Sequence, residues 1–558
     1  MKGDTAQQWR LRENQLFLIL TIVIGVLAGL SAVLFTVAID QTSHRLFGLA
    51  PSTLRLFAVP PLVSLVTGAL LAKVFPEVRG SGVPQTEAAY HLSGGVIAGR
   101  VPLGKFLTGV VCIGSGHSMG REGPSVQIGA GLASVIGRWL KLSPRRVRDL
   151  VPVGAAGALA AAFNTPVAAV LFALEEIIGD MNAALIGSTV VASVAAVIVE
   201  RSILGNEPLF HVPTYRLEHP SELMAYALLG ISGGIVSVIF CKGLLGARAL
   251  FRMLPAWTQI IQPAIGGLII GGILLYSPMV MGVGYEYVDQ ALNGGLLLKT
   301  MAILCFLKLA ATIVSYASGN AGGIFAPSLY IGAMAGGTIG MFVHRVAPFP
   351  TGDVGAYALV GMGTLFAGII RAPMTSVFMI FEITQDYQIL VPLMVANMLS
   401  FVISRRYQPV PVYHALLHQD GIHLPSPATQ AAPASRTARH VMLEEFDLLP
   451  SDVRVDDAIA WIDARKASVC LIGSRDRLEG TATREQLAQA TEAGRGRDSV
   501  STILTDTFVH AHPDHPLDIV LDRLAVSGGV LPVVSRSEVR RLEGVVTPES
   551  IFARRRNT

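Results

Sequence analysis

Gly120-Arg-Glu-Gly-Pro-Ser-Val-Gln-Ile-Gly-Ala130 returns 203 residues further on as Gly323-Ile-Phe-Ala-Pro-Ser-Leu-Tyr-Ile-Gly-Ala333, and Ile136-Gly137 then matches Ile339-Gly340. A second block follows in the same order at a spacing of 207, where Val153-Gly154, Pro166, Val170 and Glu175 match Val360-Gly361, Pro373, Val377 and Glu382. Two blocks in register mark an internal duplication, with halves at about 15–200 and 222–404. Repeats of this kind, often of inverted topology, place a substrate site near the bilayer midplane, at broken helices in corresponding positions of the two halves. The duplication thus nominates residues 120–124 and 323–327 as parts of one shared site.

The surroundings of both copies are apolar. Of the 558 residues, 51% are hydrophobic and 15% charged, against about 25% charged in soluble domains, and the mean hydropathy is +0.54. This predicts a large membrane unit with a small soluble domain. The net charge of +4 is small and dispersed, which argues against a nucleic-acid partner. Apolar runs fall near 16–39, 54–75, 95–115, 150–178, 183–199, 222–250, 259–281, 297–317, 324–345, 354–381 and 388–404. Spanning takes about 20 apolar residues. Several runs are too long for one span or are interrupted by Gly and Pro, which predicts tilted or half-length helices. Irregular backbone at membrane depth must be buried in protein or line a cavity, so the breaks are where a polar pathway belongs. The N-terminal residues 1–14 are too polar and mixed in charge for a cleaved leader, and the first run reads as a retained span. Arg138, Lys141, Arg145, Arg146 and Arg148 share one short connection, and Arg405 and Arg406 follow the last run. Positive charge marks the cytoplasmic side, which puts the N-terminal segment and the C-terminal domain in the cytoplasm. Cys112, Cys241, Cys305 and Cys470 show no pairing or metal-ligand spacing and are expected to be free thiols.

A site for a small anion must replace hydration without holding the ion too tightly. Main-chain N–H groups at helix N-termini do so, because they are unpaired donors at the positive end of the helix dipole. Gly and Pro at such starts let the backbone approach the ion. Three segments have this form: Gly80-Ser-Gly-Val-Pro84, Gly120-Arg-Glu-Gly-Pro124 and Gly323-Ile-Phe-Ala-Pro327. An acidic side chain in such apolar company is functional by default, which singles out Glu122. Glu175, Glu176 and Glu382 lie where apolar runs turn polar and can equally be water-facing helix ends. Lys105 reads as a source of positive potential near the outer part of the first half. Gly116-His-Ser-Met-Gly120 fits the hydrolase G-x-S-x-G elbow, but that motif needs a strand–turn–helix that these surroundings lack, so no enzyme is expected. Gly282-Val-Gly-Tyr285 lacks the flanks of a potassium filter and reads as a turn near the membrane surface.

These three segments, in this order, resemble the signature segments of the CLC family of chloride channels and chloride/proton exchangers, and the resemblance covers residues 15–416. It implies an all-α multi-span membrane protein of two inverted repeats, in a plasma or inner membrane. Its partners would be chloride, protons, the lipid bilayer and a second copy of the chain in a homodimer. It further implies that the Ser81 hydroxyl and the Tyr413 hydroxyl face a central anion, that Ile324 and Phe325 offer main-chain N–H groups, that Gly123 belongs to the same lining, and that Glu122 is the gate. Serine at position 81 points to chloride over nitrate or fluoride. Arg121 is read as a field or ion-pair element beside the anion. Glu176 matches the internal proton-transfer glutamate of exchangers and favours antiport over a passive voltage- or pH-gated channel of the same fold, which stays as the alternative.

After Tyr413 the composition changes. Residues 417–436 read as a linker. In 437–558, Arg477-Leu-Glu-Gly480 and Thr483 recur as Arg541-Leu-Glu-Gly544 and Thr547, at a spacing of 64, which predicts tandem α/β units at about 437–491 and 498–558. The pair resembles two CBS motifs, which implies an adenine nucleotide as cofactor, with Thr483 and Thr547 as contacts. The aspartate of that pattern is Gln486 or Ser550 here, which leaves a structural role open. A nucleotide-sensing membrane protein is the alternative from another functional class. No metal is expected.

Overall fold

A proline in the first turn of a helix loses only an N–H that has no partner there anyway, and this chain starts helices that way at Pro84, Pro144, Pro166, Pro263 and Pro373. The computed structural model describes residues 2–48, 50–180, 183–206, 209–210, 212, 219–424, 437–465, 467–504, 508–536, 538 and 540–553. The chain divides into two units, Met1–Leu424 and Pro425–Thr558.

The first half of the N-terminal unit runs through α1 (Lys2–Phe47), α2 (Thr53–Lys73), α3 (Val83–Leu92), α4 (Arg100–Gly114), α5 (Glu122–Trp139), α6 (Pro144–Phe163), α7 (Pro166–Phe172) and α8 (Ala183–Leu204). The second half repeats the order as α9 (Glu222–Met253), α10 (Gln262–Tyr276), α11 (Tyr285–Leu292), α12 (Leu298–Ala317), α13 (Phe325–Val346), α14 (Val354–Ile369), α15 (Pro373–Thr384) and α16 (Leu390–Tyr407), followed by α17 (Val412–Gln419). The packing repeats as well: α1 lies against α6 and α8 as α9 lies against α14 and α16, and α5 pairs with α6 as α13 pairs with α14. Among the described residues six helices are long and apolar enough to cross a membrane, within α1, α2, α8, α9, α12 and α13. The others are shorter or less apolar. The apolar runs at 150–178 and 354–381 are not single helices: each breaks at a residue in the left-handed region, Asn164 (φ 57°) and Arg371 (φ 71°), just before the proline that starts α7 or α15.

Two pairs of equivalent helices, α2 with α10 and α7 with α15, run antiparallel. The early part of α2 meets the late part of α10 and the reverse: a Cβ on Gly271 would stand 2.4 Å from the Phe57 carbonyl oxygen, and one on Gly68 would stand 2.2 Å from that of Ile260. At α7 and α15 the antiparallel relation is chemical. Glu382, late in α15, accepts from the N–H groups of Val167 (2.9 Å) and Ala168 (2.7 Å) at the start of α7. Glu175, just beyond α7, accepts from Met374 N–H (3.3 Å), Thr375 N–H (2.9 Å) and the Thr375 hydroxyl (2.8 Å) at the start of α15. The two carboxylates are therefore reciprocal helix caps, and both are half-exposed.

The C-terminal unit contains α18 (Ala438–Val441), α19 (Val455–Arg465), β1 (Val469–Gly473), β2 (Leu478–Thr483), α20 (Arg484–Glu492), α21 (Leu517–Val526), β3 (Leu531–Val534), β4 (Leu542–Val546) and α22 (Pro548–Ala553). β1 pairs antiparallel with β2, and β3 with β4, each pair with one register shift. Leu471, Leu478, Val534, Leu542 and Val545 form one core between the two hairpins. Of the segment read as a linker, residues 417–419 belong to α17, and residues 425–436 lie outside the described residues.

Candidate functional site

The three Gly/Pro segments meet through their main chains. Gly120 N–H donates to Gly323 O and Gly323 N–H to Gly120 O, both at 2.8 Å. Gly80 N–H donates to Asn320 O (3.1 Å), and Gly322 N–H to Gly80 O (3.1 Å). These bonds hold the starts of α3, α5 and α13 at one place. Glycine is required for the closeness: Gly82 has φ 106° and a Cβ there would stand 2.7 Å from Gly123 O, while a Cβ on Gly123 would stand 2.4 Å from Ser81 Oγ. All three helices begin with unpaired N–H groups, so their positive ends converge.

Single side-chain oxygens without partners face this point. Ser81, Glu122 and Tyr413 are fully buried, and Ser81 Oγ, Glu122 Oε2 and Tyr413 Oη have no hydrogen-bond partner among the described residues. Buried polar groups are nearly always paired, so three orphans at converging helix starts mark a place built for a polar guest. Tyr413 lies beside Ser81, and Ser81 N–H donates to the hydroxyl of Tyr316 (3.4 Å). Ile324 and Phe325, both buried, sit at the N-cap and first residue of α13. The Phe325 ring packs against Phe163 (4.9 Å), Phe172 (5.7 Å) and Phe366 (4.4 Å between centroids), which keeps water from that side. Arg121 makes no ion pair among the described residues. Its guanidinium stands 5.6 Å from the centre of the Tyr285 ring.

Glu176 is buried and lies in a π-helical turn, Ala173–Ile178, that continues α7. Such turns insert a residue and re-aim side chains. Here the turn separates neighbours: Glu175 reaches α15, whereas Glu176 stays inside, in the field of Glu87, and α3, which carries Glu87, packs against the turn. Glu87 accepts from or donates to His414 Nε2 at 2.7 Å, and the His414 side chain is a third exposed. The sequence reading did not single out Glu87 or His414. An acidic residue four positions into an apolar half-helix was a usable signal. The histidine, 327 residues away, offered none.

Other assignments change. Lys105 is fully buried and its Nζ donates to Val78 O (2.6 Å) and Gly80 O (2.7 Å), so it braces the turn that carries Ser81 and is not an outer charge. Lys308 does the same in the second half, on Val280 O (3.1 Å) and Gly282 O (2.7 Å). Ser118 is buried, with its hydroxyl on that of Thr312 (3.0 Å), and the preceding element is the helix α4, which removes the hydrolase elbow. The Gly282–Tyr285 turn is not a mere surface feature: Tyr285 Oη donates to Glu122 Oε1 at 2.5 Å.

Thr483 and Thr547 belong to the C-terminal unit. Thr483 Oγ1 accepts from Gln486 N–H (3.3 Å), and Gln486 Oε1 accepts from Thr483 N–H (3.0 Å). Thr547 and Ser550 close the same way, at 3.2 and 3.1 Å. Both threonines are thus helix caps, and Gln486 and Ser550 complete their capping boxes. Nearby, Arg484 donates to Asp463 (2.7 Å) and holds its carboxyl below the usual range. Burial pushes the Cys470 thiol up to about 11, which keeps it protonated and unreactive near neutral pH. All four cysteines are free.

Residues 63–405 match the family model for voltage gated chloride channels. The chain is 31% identical over 436 residues to an H(+)/Cl(-) exchange transporter ClcA of Vibrio cholerae, covering 75% of this chain and 93% of that protein. Among solved structures it is similar to a slow cyanobacterial Cl-/H+ antiporter, with a TM-score of 0.66 and 27% identity over 72% of this chain and 97% of the other. A eukaryotic CLC transporter at 20% identity shares the fold, with a TM-score of 0.65 over 96% of this chain and 97% of the other.

Proposed function

The chain belongs to the voltage gated chloride channel family, and from that premise we propose that it exchanges chloride for protons across a bilayer, with Glu122 as the gate and Glu176 as the internal proton-transfer group. The observation that carries this reading is the set of buried, unpartnered oxygens of Ser81, Glu122 and Tyr413 at three converging helix starts. Chloride at this point takes the hydroxyl hydrogens of Ser81 and Tyr413 and the N–H groups of Gly123, Ile324 and Phe325, all neutral donors, so the ion exchanges its hydration without a direct ammonium or guanidinium contact. Arg121 adds positive potential from nearby. An ionised Glu122 carboxylate competes with chloride for the same helix-end donors. Protonation removes that competition, the side chain withdraws, and the proton it carries is what couples the two fluxes. A relative named as an H(+)/Cl(-) exchange transporter supports coupling over passive conduction. The burial of Glu176, away from the capping duty that engages Glu175, supports its role as the inner proton station.

The same proposal places the Arg138–Arg148 connection, Arg405, Arg406 and the C-terminal unit in the cytoplasm, in a homodimer with one pathway per subunit. For the C-terminal unit, which resembles a CBS pair, the closed capping boxes at Thr483 and Thr547 support a structural role over a nucleotide site. The test of the gate is Glu122→Gln in proteoliposomes. Chloride flux persists, proton coupling disappears, and the flux no longer responds to pH. Loss of all anion flux contradicts the assignment.

A further inference from the structure

The turn Gly282-Val-Gly-Tyr285 is the counterpart, in the second half, of the turn that carries Ser81. Gly82 and Gly284 are the N-cap residues of α3 and α11, both at positive φ (106° and 79°). Each turn is tied down by a buried lysine on its carbonyls, Lys105 on Gly80 and Lys308 on Gly282. The first turn points a serine hydroxyl at the anion position. The second points a tyrosine hydroxyl at the gate, where Tyr285 Oη donates to Glu122 Oε1 at 2.5 Å. We propose that Tyr285 is a latch for the gating carboxylate: it holds ionised Glu122 in the place where that group excludes chloride, and so sets how much acid opens the pathway. This rests on the reading of Glu122 as the gate.

Three features fit a latch better than a filler ring. The Tyr285 ring is clamped edge-on by Phe210 (5.2 Å, 80°) and borders Phe163 (6.4 Å), so the hydroxyl cannot easily turn elsewhere. The Arg121 guanidinium lies over the same ring at 5.6 Å, and a cation on the π face draws electrons from the phenol and sharpens it as a donor. The bond joins a hydroxyl to a carboxylate in a site walled by Phe163 and Phe325, where charge-assisted bonds are short and strong. A protonated carboxyl has a weaker claim on that donor, so the latch favours the closed, ionised gate and releases the protonated one. The other charged and titratable groups around Glu122 are Arg121 on its own segment, Lys308 on α12 and Tyr413 on α17. Arg121 and Lys308 act on the carboxylate through space, and Tyr413 faces the anion side. Only Tyr285 is bonded to it through a side chain among the described residues. Tyr285 is therefore a positioning residue, acting on chloride through Glu122.

The experiment is chloride efflux from proteoliposomes of the full chain, followed from acid to alkaline pH, for wild type, Tyr285→Phe, Glu122→Gln and the double variant. Phenylalanine keeps the ring and its packing and removes only the donor. Tyr285→Phe is expected to move the half-activation pH up by about one unit, the tenfold effect of losing a hydrogen bond to a charged group. Its turnover near neutral pH rises about tenfold with it, while the proton-to-chloride ratio stays as in wild type. On the Glu122→Gln background the same substitution changes nothing. A Tyr285→Phe profile that superimposes on wild type, beside a flat Glu122→Gln profile, overturns the latch alone. An equal effect of Tyr285→Phe in the double variant also overturns it, since the tyrosine then acts on something other than the gate. If Glu122→Gln keeps the wild-type pH response, the gate itself is misassigned and the latch falls with it.

Discussion

Lys105 and Lys308 are fully buried and contact no acid among the described residues, each spending its Nζ protons on two main-chain carbonyls of the turn before a half-helix. The reason is geometric. A turn with positive-φ glycines leaves carbonyls pointing into the protein, and a buried carbonyl without a donor costs about 1–3 kcal/mol. The lysine satisfies two at once and steadies the turn, which carries Ser81 in one half and leads into Tyr285 in the other. Lys105→Met keeps the apolar stem and removes the donor, so the Ser81 turn loses its brace. We expect chloride binding, measured calorimetrically in detergent, to weaken about tenfold, or about 1.4 kcal/mol. Unchanged affinity would show that the turn is held by its own hydrogen bonds alone.

Helices in this fold approach each other through glycine, and they do so twice by the same rule. A Cβ on Gly129 in α5 would stand 2.3 Å from Gly154 O in α6, and one on Gly332 in α13 would stand 2.3 Å from Gly361 O in α14. The second contact pins the helix that begins at Ile324 and Phe325, the first the helix that begins at Glu122. Gly129→Ala forces α5 and α6 apart, at a cost of about 1–3 kcal/mol, and is expected to lower the thermal midpoint in detergent. Gly187→Ala on α8, where nothing lies within 4 Å of the added carbon, is the control. It is expected to be neutral or stabilising, since alanine is the better helix former by about 1 kcal/mol. In the C-terminal unit the comparable local device is a cap. Thr483→Ala removes the acceptor for Gln486 N–H and should cost about 1 kcal/mol, seen as earlier urea unfolding of that unit in the full chain with chloride flux unaltered. A changed flux would point to a regulatory contact at Thr483 instead.

At the scale of the whole molecule the duplication carries most of the account. It was legible because Gly, Pro and Ser recur at fixed spacing where helices must start and backbones must touch. The three helix starts and the buried Glu122 follow from those residues directly, whereas the breaks before Pro166 and Pro373 fall inside two of the apolar runs. What was not legible depends on distant partners. Glu175 and Glu382 occupy equivalent positions at polar ends of apolar runs, and only the antiparallel packing of α7 on α15 makes each the cap of the other. Glu176 differs from its neighbour only through a π-helical turn, which leaves no mark in composition. Glu122 and Tyr285 are 163 residues apart, and a Gly-x-Gly-Tyr turn gives no hint of what its tyrosine reaches. The capping boxes at Thr483 and Thr547 were legible in the patterns Thr-x-x-Gln and Thr-x-x-Ser.

The exposed faces of the span-length helices are apolar, with Leu18, Ile22 and Leu34 on α1, Leu62 and Val66 on α2, and Ile231, Ile235 and Ile239 on α9 open to the surroundings. Faces of this kind belong in hydrocarbon, so the measurement that matters is made in a bilayer. Full-length protein is reconstituted in vesicles, a chloride gradient is imposed at equal pH on both sides, and proton movement is followed beside the Glu176→Ala variant. The account predicts protons driven uphill by chloride in the wild type, with no proton movement and persisting chloride flux in Glu176→Ala. Chloride flux in the wild type without any proton movement would contradict it, and would make this chain a passive conductor with Glu176 an ordinary buried acid.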